Sequence, residues 1–189
     1  QHPLAAQRNV HRTWSSNEKT AMEEALGMSF AGKRALVCMK HVGLNVAADA
    51  FVNSAMTGAN GGLVVVAADD PSMHSSQNEQ DSRFYGKFAL VPTFEPADQQ
   101  EAYDMAKAAF DHSEKYRIPV LMRLTTRMAH SRAVVETGEA RAENPLSHPE
   151  QPRQWVLMPG NSRVRYQTLL EDYARLEEES AASPFNAYT

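Results

Sequence analysis

Residues 35–68 read ALVCMKHVGLNVAADAFVNSAMTGANGGLVVVAA. Two apolar runs, Ala35–Met39 and Leu63–Ala68, flank a stretch of helical character, Asn45–Thr57. The second run, LVVVAA, is continuous, rich in β-branched residues and bounded by turn residues. Such runs suit a short strand covered on both faces, and the first is read the same way. To either side the pattern repeats. Pro119–Thr125 (PVLMRLT) reads as a third strand and Phe88–Val91 as a weaker fourth. Asn17–Ala31 and Ala97–Tyr116 read as helices, the latter with Ala102, Met105, Ala106, Ala109 and Phe110 on one face at helical spacing. Strand and helix alternate, which predicts an α/β fold with a mostly parallel sheet and helices on both faces, over residues 1–137. Residues 138–189 read as a linker and a C-terminal amphipathic helix. Glu143–Gln154 holds three prolines, and the helix starts near Asn161 or Ser162 and carries Tyr166, Leu169, Leu170, Tyr173 and Leu176.

At 189 residues and 42% hydrophobic, the chain can bury a substantial core. The net charge of −4 comes from acidic and basic residues scattered along the sequence, which argues against a nucleic-acid-binding face. Cys38 is the only cysteine. That excludes an internal disulfide framework and any cysteine-ligated zinc or iron–sulfur site built from this chain alone, and it fits a reducing cytoplasm. No apolar run approaches the roughly 18 to 20 residues that span a bilayer. The start Gln1-His2-Pro3 resembles no signal peptide, and the lack of an initiator Met suggests a piece of something longer.

In parallel sheets ligands gather at the carboxyl ends of the strands. The segment after the first strand is Lys40-His41-Val42-Gly43-Leu44-Asn45, and the one after the second runs from Asp69 to Asp81, long, polar and free of glycine. His41, Asn45, His74, Ser75 and Gln77 are the pocket-lining candidates, and residues 72–83 are expected to be more mobile than the sheet. Glu18 stands at a helix start, where Ser15-Ser16-Asn17-Glu18 fits an S-x-x-E capping box; capping alone would explain it. Other chemistries find less support. LVVVAADD matches the strand-plus-acid half of a nucleotide triphosphatase, but G-x-x-x-x-G-K-[ST] is missing. No histidine pair stands at metal-binding spacing, His112 sits where its cation would favour a helix dipole, and no metal site is expected. There is no G-x-S-x-G, and Cys38 inside a strand reads as inert packing.

WSSNEK (14–19), AGKRALVCMKHVGLNVAADAF (31–51), VVVAADDPSMHSSQNEQDSR (64–83) and PVLMRLTTRMAHSRAVVE (119–136) together resemble, in the same order, the amino-terminal half of the large subunit of the indolepyruvate ferredoxin oxidoreductases. The resemblance resumes at WVLMPGNSRVRYQTLLEDY (155–173). It implies a pyrimidine-binding domain of a thiamine diphosphate enzyme that oxidatively decarboxylates aryl 2-oxo acids to acyl-CoA and passes the electrons to ferredoxin. In that family the glutamate of the N-E-K stretch, here Glu18, lies against the aminopyrimidine ring. The cofactor's own amino group must become an imine to remove the thiazolium C2 proton. A protonated carboxyl hydrogen-bonded to ring nitrogen N1′ favours that tautomer.

The resemblance also implies what lies elsewhere. The family's domain opens with a strand, a glycine-rich turn and a helix, so this chain reads as truncated at its N-terminal strand. The diphosphate and its Mg²⁺ belong to a domain with a G-D-G sequence, and the iron–sulfur clusters to a cysteine-rich segment; this sequence has neither. The implied partners are that diphosphate-binding domain, a second (beta) subunit, ferredoxin and CoA, in a homo- or hetero-oligomer. A non-catalytic homologue of the domain, acting as a binding or assembly module, is the alternative.

Overall fold

The computed structural model describes residues 2–186; Gln1, on which the reading of the chain's start rests, and the last three residues of the C-terminal segment lie outside it. The elements are α1 (His2–Gln7), α2 (Glu18–Phe30), β1 (Ala35–Lys40), α3 (His41–Thr57), β2 (Leu63–Asp69), α4 (Arg83–Ala89), β3 (Thr93–Phe94), α5 (Gln99–Tyr116), β4 (Val120–Thr125), α6 (Thr126–His130) and α7 (Pro159–Ala181), with one 3₁₀ turn at Pro152–Trp155. Four strands form one sheet in the order β1-β2-β4-β3. Every pairing is parallel, as the strand–helix alternation predicts.

Two apolar layers cover the sheet. On one side Ala35, Val37 and Met39 of β1 and Leu63, Val65 and Ala67 of β2 join Met22 of α2, Leu44 and Phe51 of α3, and Leu169 and Leu176 of α7. On the other side Val64, Val66, Val120 and Met122 pack on Met105 and Ala109 of α5. This second layer contains no residue of β1. The edge strand is therefore covered on one face only: Leu36 is 47% exposed and Cys38 is exposed, which corrects the expectation of a strand buried on both sides.

Two further expectations change. Phe88–Val91 is not a strand; residues 83–89 form α4, which ends at Leu90 in the left-handed conformation (φ 60°), and the strand follows at Thr93–Phe94. A short amphipathic helix and a short strand share the same brief apolar run, and spacing cannot separate them. Gly86 lets α4 lie on that strand, since a Cβ there would meet Thr93 Oγ1 at 2.0 Å. The segment after β1 is also not a loop. Lys40, in extended conformation, leads directly into α3 at His41, four residues before the expected start at Asn45.

Between α6 and α7 the chain, apart from the 3₁₀ turn, runs without regular structure past the α2–β1 connection and α5. Lys33 Nζ donates to Asn144 O (2.5 Å), Arg34 Nη1 to Ala142 O (3.0 Å) and Asn144 Nδ2 to Glu114 Oε1 (2.7 Å). α7 then docks on α3, where Arg165 Nε donates to Met56 O (3.0 Å).

Candidate functional site

α2 starts where it does because Asn17 caps it. Its backbone is extended (φ −158°, ψ 175°), and its Oδ1 accepts from Thr20 N at 3.0 Å and from the Thr20 hydroxyl at 3.3 Å. The expected capping box between Ser15 and Glu18 does not form. Ser15 Oγ instead donates to Glu24 Oε2 (2.7 Å), because a cap at Asn17 makes Glu18 the first helical residue, too early to reach back. Glu18 is thereby released. Its half-buried carboxylate makes no hydrogen bond or ion pair among the described residues and lies against the first turn of α3, where a Cβ on Gly43 would meet Glu18 Cγ at 2.5 Å and Oε1 at 2.8 Å. Because α2 runs back along β1, its start sits at the carboxyl end of that strand, beside the start of α3.

The polar segment after β2 is built over this corner. Asp69, at the end of β2 and 1% exposed, accepts from Ser82 N (2.9 Å), from the Ser82 hydroxyl and from Arg123 Nε (2.6 Å). Arg123 also engages Glu95, and Arg83 holds Asp81 at 2.6 Å. Asp70 gathers the near end of the loop by accepting from His74 N (3.2 Å), Ser75 N (2.7 Å) and the Thr126 hydroxyl (2.7 Å). The Ser75 amide, then the Thr126 hydroxyl, hold its carboxyl well below the usual carboxylate range. Lys40 Nζ donates to Ser75 O (2.9 Å). These anchors tie the feet of the loop that was expected to be mobile, and its apex stays exposed. Ser72 and Met73 turn it with positive φ values of 67° and 53°.

The expected site residues fall into two groups. Glu18, His41 and Asn45 lie where α2 and α3 meet; His74, Ser75 and Gln77 lie exposed on the loop above Lys40. His41 is buried, 1% exposed, with Nε2 facing Asn78 O at 3.1 Å and Nδ1 facing Ala68 O at 3.4 Å. Its ring therefore joins loop to sheet and has no free edge for a ligand. Asn45 Oδ1 accepts from the Tyr85 hydroxyl, which links α3 to α4. Asp69, Ser82, Arg123 and Gly43 were not among the expected residues. Arg123 carried a signal, a lone charge within an apolar run, and such a charge needs a buried partner.

No group of three or more His, Cys, Asp or Glu among the described residues could hold a metal ion. Both acids of the AADD stretch are spent on the loop. Gly61 and Gly62 do not cradle a phosphate either, since a Cβ on Gly61 would meet Lys33 O at 2.3 Å and one on Gly62 would meet Phe110 Cδ1 at 2.9 Å. A cleft of about 670 Å³ opens between β3 and α7, lined in part by Phe94, Met105, Leu176 and Phe185; it touches the polar network at Arg83 and Glu95 but not Glu18, His41, Asn45, His74, Ser75 or Gln77. His112 lies beside it, 3.2 Å from Glu179, so its partner is a carboxylate of α7 rather than the end of its own helix. Among the described residues no helix is long and apolar enough to cross a membrane.

The arrangement thus offers one uncommitted carboxyl beside a helix turn stripped of its side chain, and no phosphate or metal cradle. Comparison with known proteins gives the family. The family model described as "Pyruvate flavodoxin/ferredoxin oxidoreductase, thiamine diP-bdg" matches residues 3–182. The indolepyruvate oxidoreductase subunit IorA of Pyrococcus abyssi is 48% identical over 97% of this chain, which covers 29% of that protein. The same subunit of Archaeoglobus fulgidus is 47% identical over 97% of this chain, covering 30% of that protein. The chain thus spans less than a third of the length of these relatives. Among solved structures, a 2-oxoglutarate:ferredoxin oxidoreductase from Magnetococcus marinus superposes over 93% of this chain and 38% of its own with a TM-score of 0.65, at 14% identity, which shows a shared fold. The chain belongs to the thiamine diphosphate-binding family of the pyruvate flavodoxin/ferredoxin oxidoreductases.

Proposed function

We propose that this chain supplies the pyrimidine half of the thiamine diphosphate site in an indolepyruvate ferredoxin oxidoreductase, and that Glu18 is the group that hydrogen-bonds the aminopyrimidine ring. The observation that carries this reading is the state of the Glu18 carboxylate: Asn17 does the capping, no described residue engages the acid, and it rests on Gly43. The names of relatives that are nearly half identical support the substrate class, an aryl 2-oxo acid.

The residues present fit one end of the cofactor. An uncommitted carboxyl suits a ring nitrogen, and the filled glycine turn at 61–62 supports a reading in which another domain holds the diphosphate and its Mg²⁺. Thiamine diphosphate, when bound, supplies the electron sink for loss of CO₂ from a 2-oxo acid. Glu18 holds a proton between its carboxyl oxygen and the ring nitrogen N1′, and so sets the ring's tautomer. Lys40, His41 and Asp70 hold the polar loop in place above that corner, with His74, Ser75 and Gln77 presented toward substrate or the neighbouring domain. The 2-oxo acid becomes an acyl-CoA and its electrons pass to ferredoxin. In this reading the iron–sulfur clusters, the CoA site and the contacts with ferredoxin and the beta subunit lie on other segments of a cytoplasmic oligomer.

Replacing Glu18 by Gln in the complete enzyme tests the proposal. Removal of the proton-exchanging group slows turnover by roughly 10²- to 10⁴-fold, while the melting temperature stays near that of the parent. Parental turnover in the folded variant would instead favour a binding or assembly module in which Glu18 has no chemical duty.

A further inference from the structure

We infer that Gly43 is a positioning residue whose missing side chain gives the Glu18 carboxylate its place against α3. This rests on the reading of Glu18 as the partner of the aminopyrimidine ring. Gly43 is the third residue of α3 and is buried. Its backbone does not require glycine, since the glycines with positive φ are Gly32 and Gly58. Helix propensity alone would favour alanine there. What excludes a methyl group is a single side chain: the three nearest atoms to a Cβ on Gly43 are Glu18 Cγ (2.5 Å), Oε1 (2.8 Å) and Cδ (2.9 Å). At Gly61 the excluding atoms belong to main chain, at Gly62 to the side chains of two residues, Phe110 and Glu114, and at Gly27 on α2 there are none within 4 Å.

A methyl at 43 thus meets a side chain that can swing away, not a backbone that cannot. The helices can stay packed while the carboxylate leaves its place. For an acid whose work is one hydrogen bond to a ring nitrogen, a displacement near 1 Å costs on the order of 10²-fold in rate.

The test uses the complete enzyme with Gly43→Ala, Glu18→Ala, the pair combined, Glu18→Gln, and Gly27→Ala as a control. In the ligand-free enzyme a melting-temperature cycle should show coupling: Gly43→Ala raises the melting temperature when residue 18 is Ala and raises it less, or lowers it, when residue 18 is Glu. With thiamine diphosphate bound, C2-proton exchange should slow by about 10²-fold in Gly43→Ala and remain parental in Gly27→Ala. Absence of coupling, or parental exchange in Gly43→Ala, overturns the inference. If exchange is slow in Glu18→Gln but parental in Gly43→Ala, Gly43 alone loses its role; if it is parental in Glu18→Gln, the reading of Glu18 falls and takes Gly43 with it. Should Gly43→Ala fail to fold, folding of the combined variant sustains the steric pairing and its failure overturns it.

Discussion

A carboxylate that caps its own helix has little left to offer a ligand, and at the start of α2 that duty belongs to Asn17. Asn17→Ala should therefore cost about 1 kcal/mol in denaturant melts, while Ser15→Ala stays within about 0.5 kcal/mol, its hydroxyl bonding only the exposed Glu24. Equal losses from the two would mean that the cap is shared. Asp69 and Arg123 present the opposite case, a nearly dry ion pair 2.6 Å long with side chains 0% and 7% exposed. Arg123 keeps Glu95 when Asp69 is lost, whereas Asp69 has no other cation partner among the described residues, so Arg123→Ala leaves a buried charge and should destabilise by about 3–5 kcal/mol in urea melts. An ordinary surface-pair loss below about 1 kcal/mol would show that water reaches the pair. Neither arrangement follows from local sequence. Three consecutive capping-type residues, Ser15, Ser16 and Asn17, precede Glu18 as alternatives for a single helix start, and the partners of Asp69 lie 13 and 54 residues away.

The helices and strands explain why most of the fold could be read in advance and part of it could not. β2 and β4 are covered from both sides, so their apolar runs are unbroken and distinctive. β1 alternates buried and exposed positions, yet its outward residues Leu36 and Cys38 are themselves apolar, which hid the open face. α3 begins without a side-chain cap, so nothing in Lys40-His41 announces it. The contact of α5 with α7 also joins elements whose pairing no spacing reveals. There His112 lies 3.2 Å from Glu179 and edge-on to Phe94, ring centroids 5.5 Å apart. Burial pushes its imidazole pKa down, opposed in part by Glu179. Unfolded histidine takes up a proton near pH 6.5, before the folded one does, so the unfolded state binds more protons and stability falls as pH drops below about 6.5. The melting temperature should decrease from pH 7.5 to pH 5.5, and His112→Gln should flatten that decrease. An unchanged slope in the variant would remove His112 from the account.

The molecule as a whole, in the proposed reading, presents half of a cofactor site. One corner of the sheet carries an acid unpaired among the described residues, a side-chain-free helix turn and an anchored polar loop, and the relatives it matches are more than three times its length. In the proposed reading, most of the affinity for a diphosphate-bearing cofactor comes from charged contacts made by another domain. Calorimetry on the isolated chain should accordingly give no binding of thiamine diphosphate at micromolar concentrations, and a micromolar or tighter constant would locate the diphosphate site here after all. The role proposed for Glu18 is the claim on which the rest depends. Quenched-exchange NMR of the C2 proton of thiamine diphosphate, bound to the complete enzyme with Glu18→Gln, reads it without the later steps of turnover. Exchange slowed by roughly 10²- to 10⁴-fold in a variant that melts like the parent is the predicted result; exchange at the parental rate would contradict it.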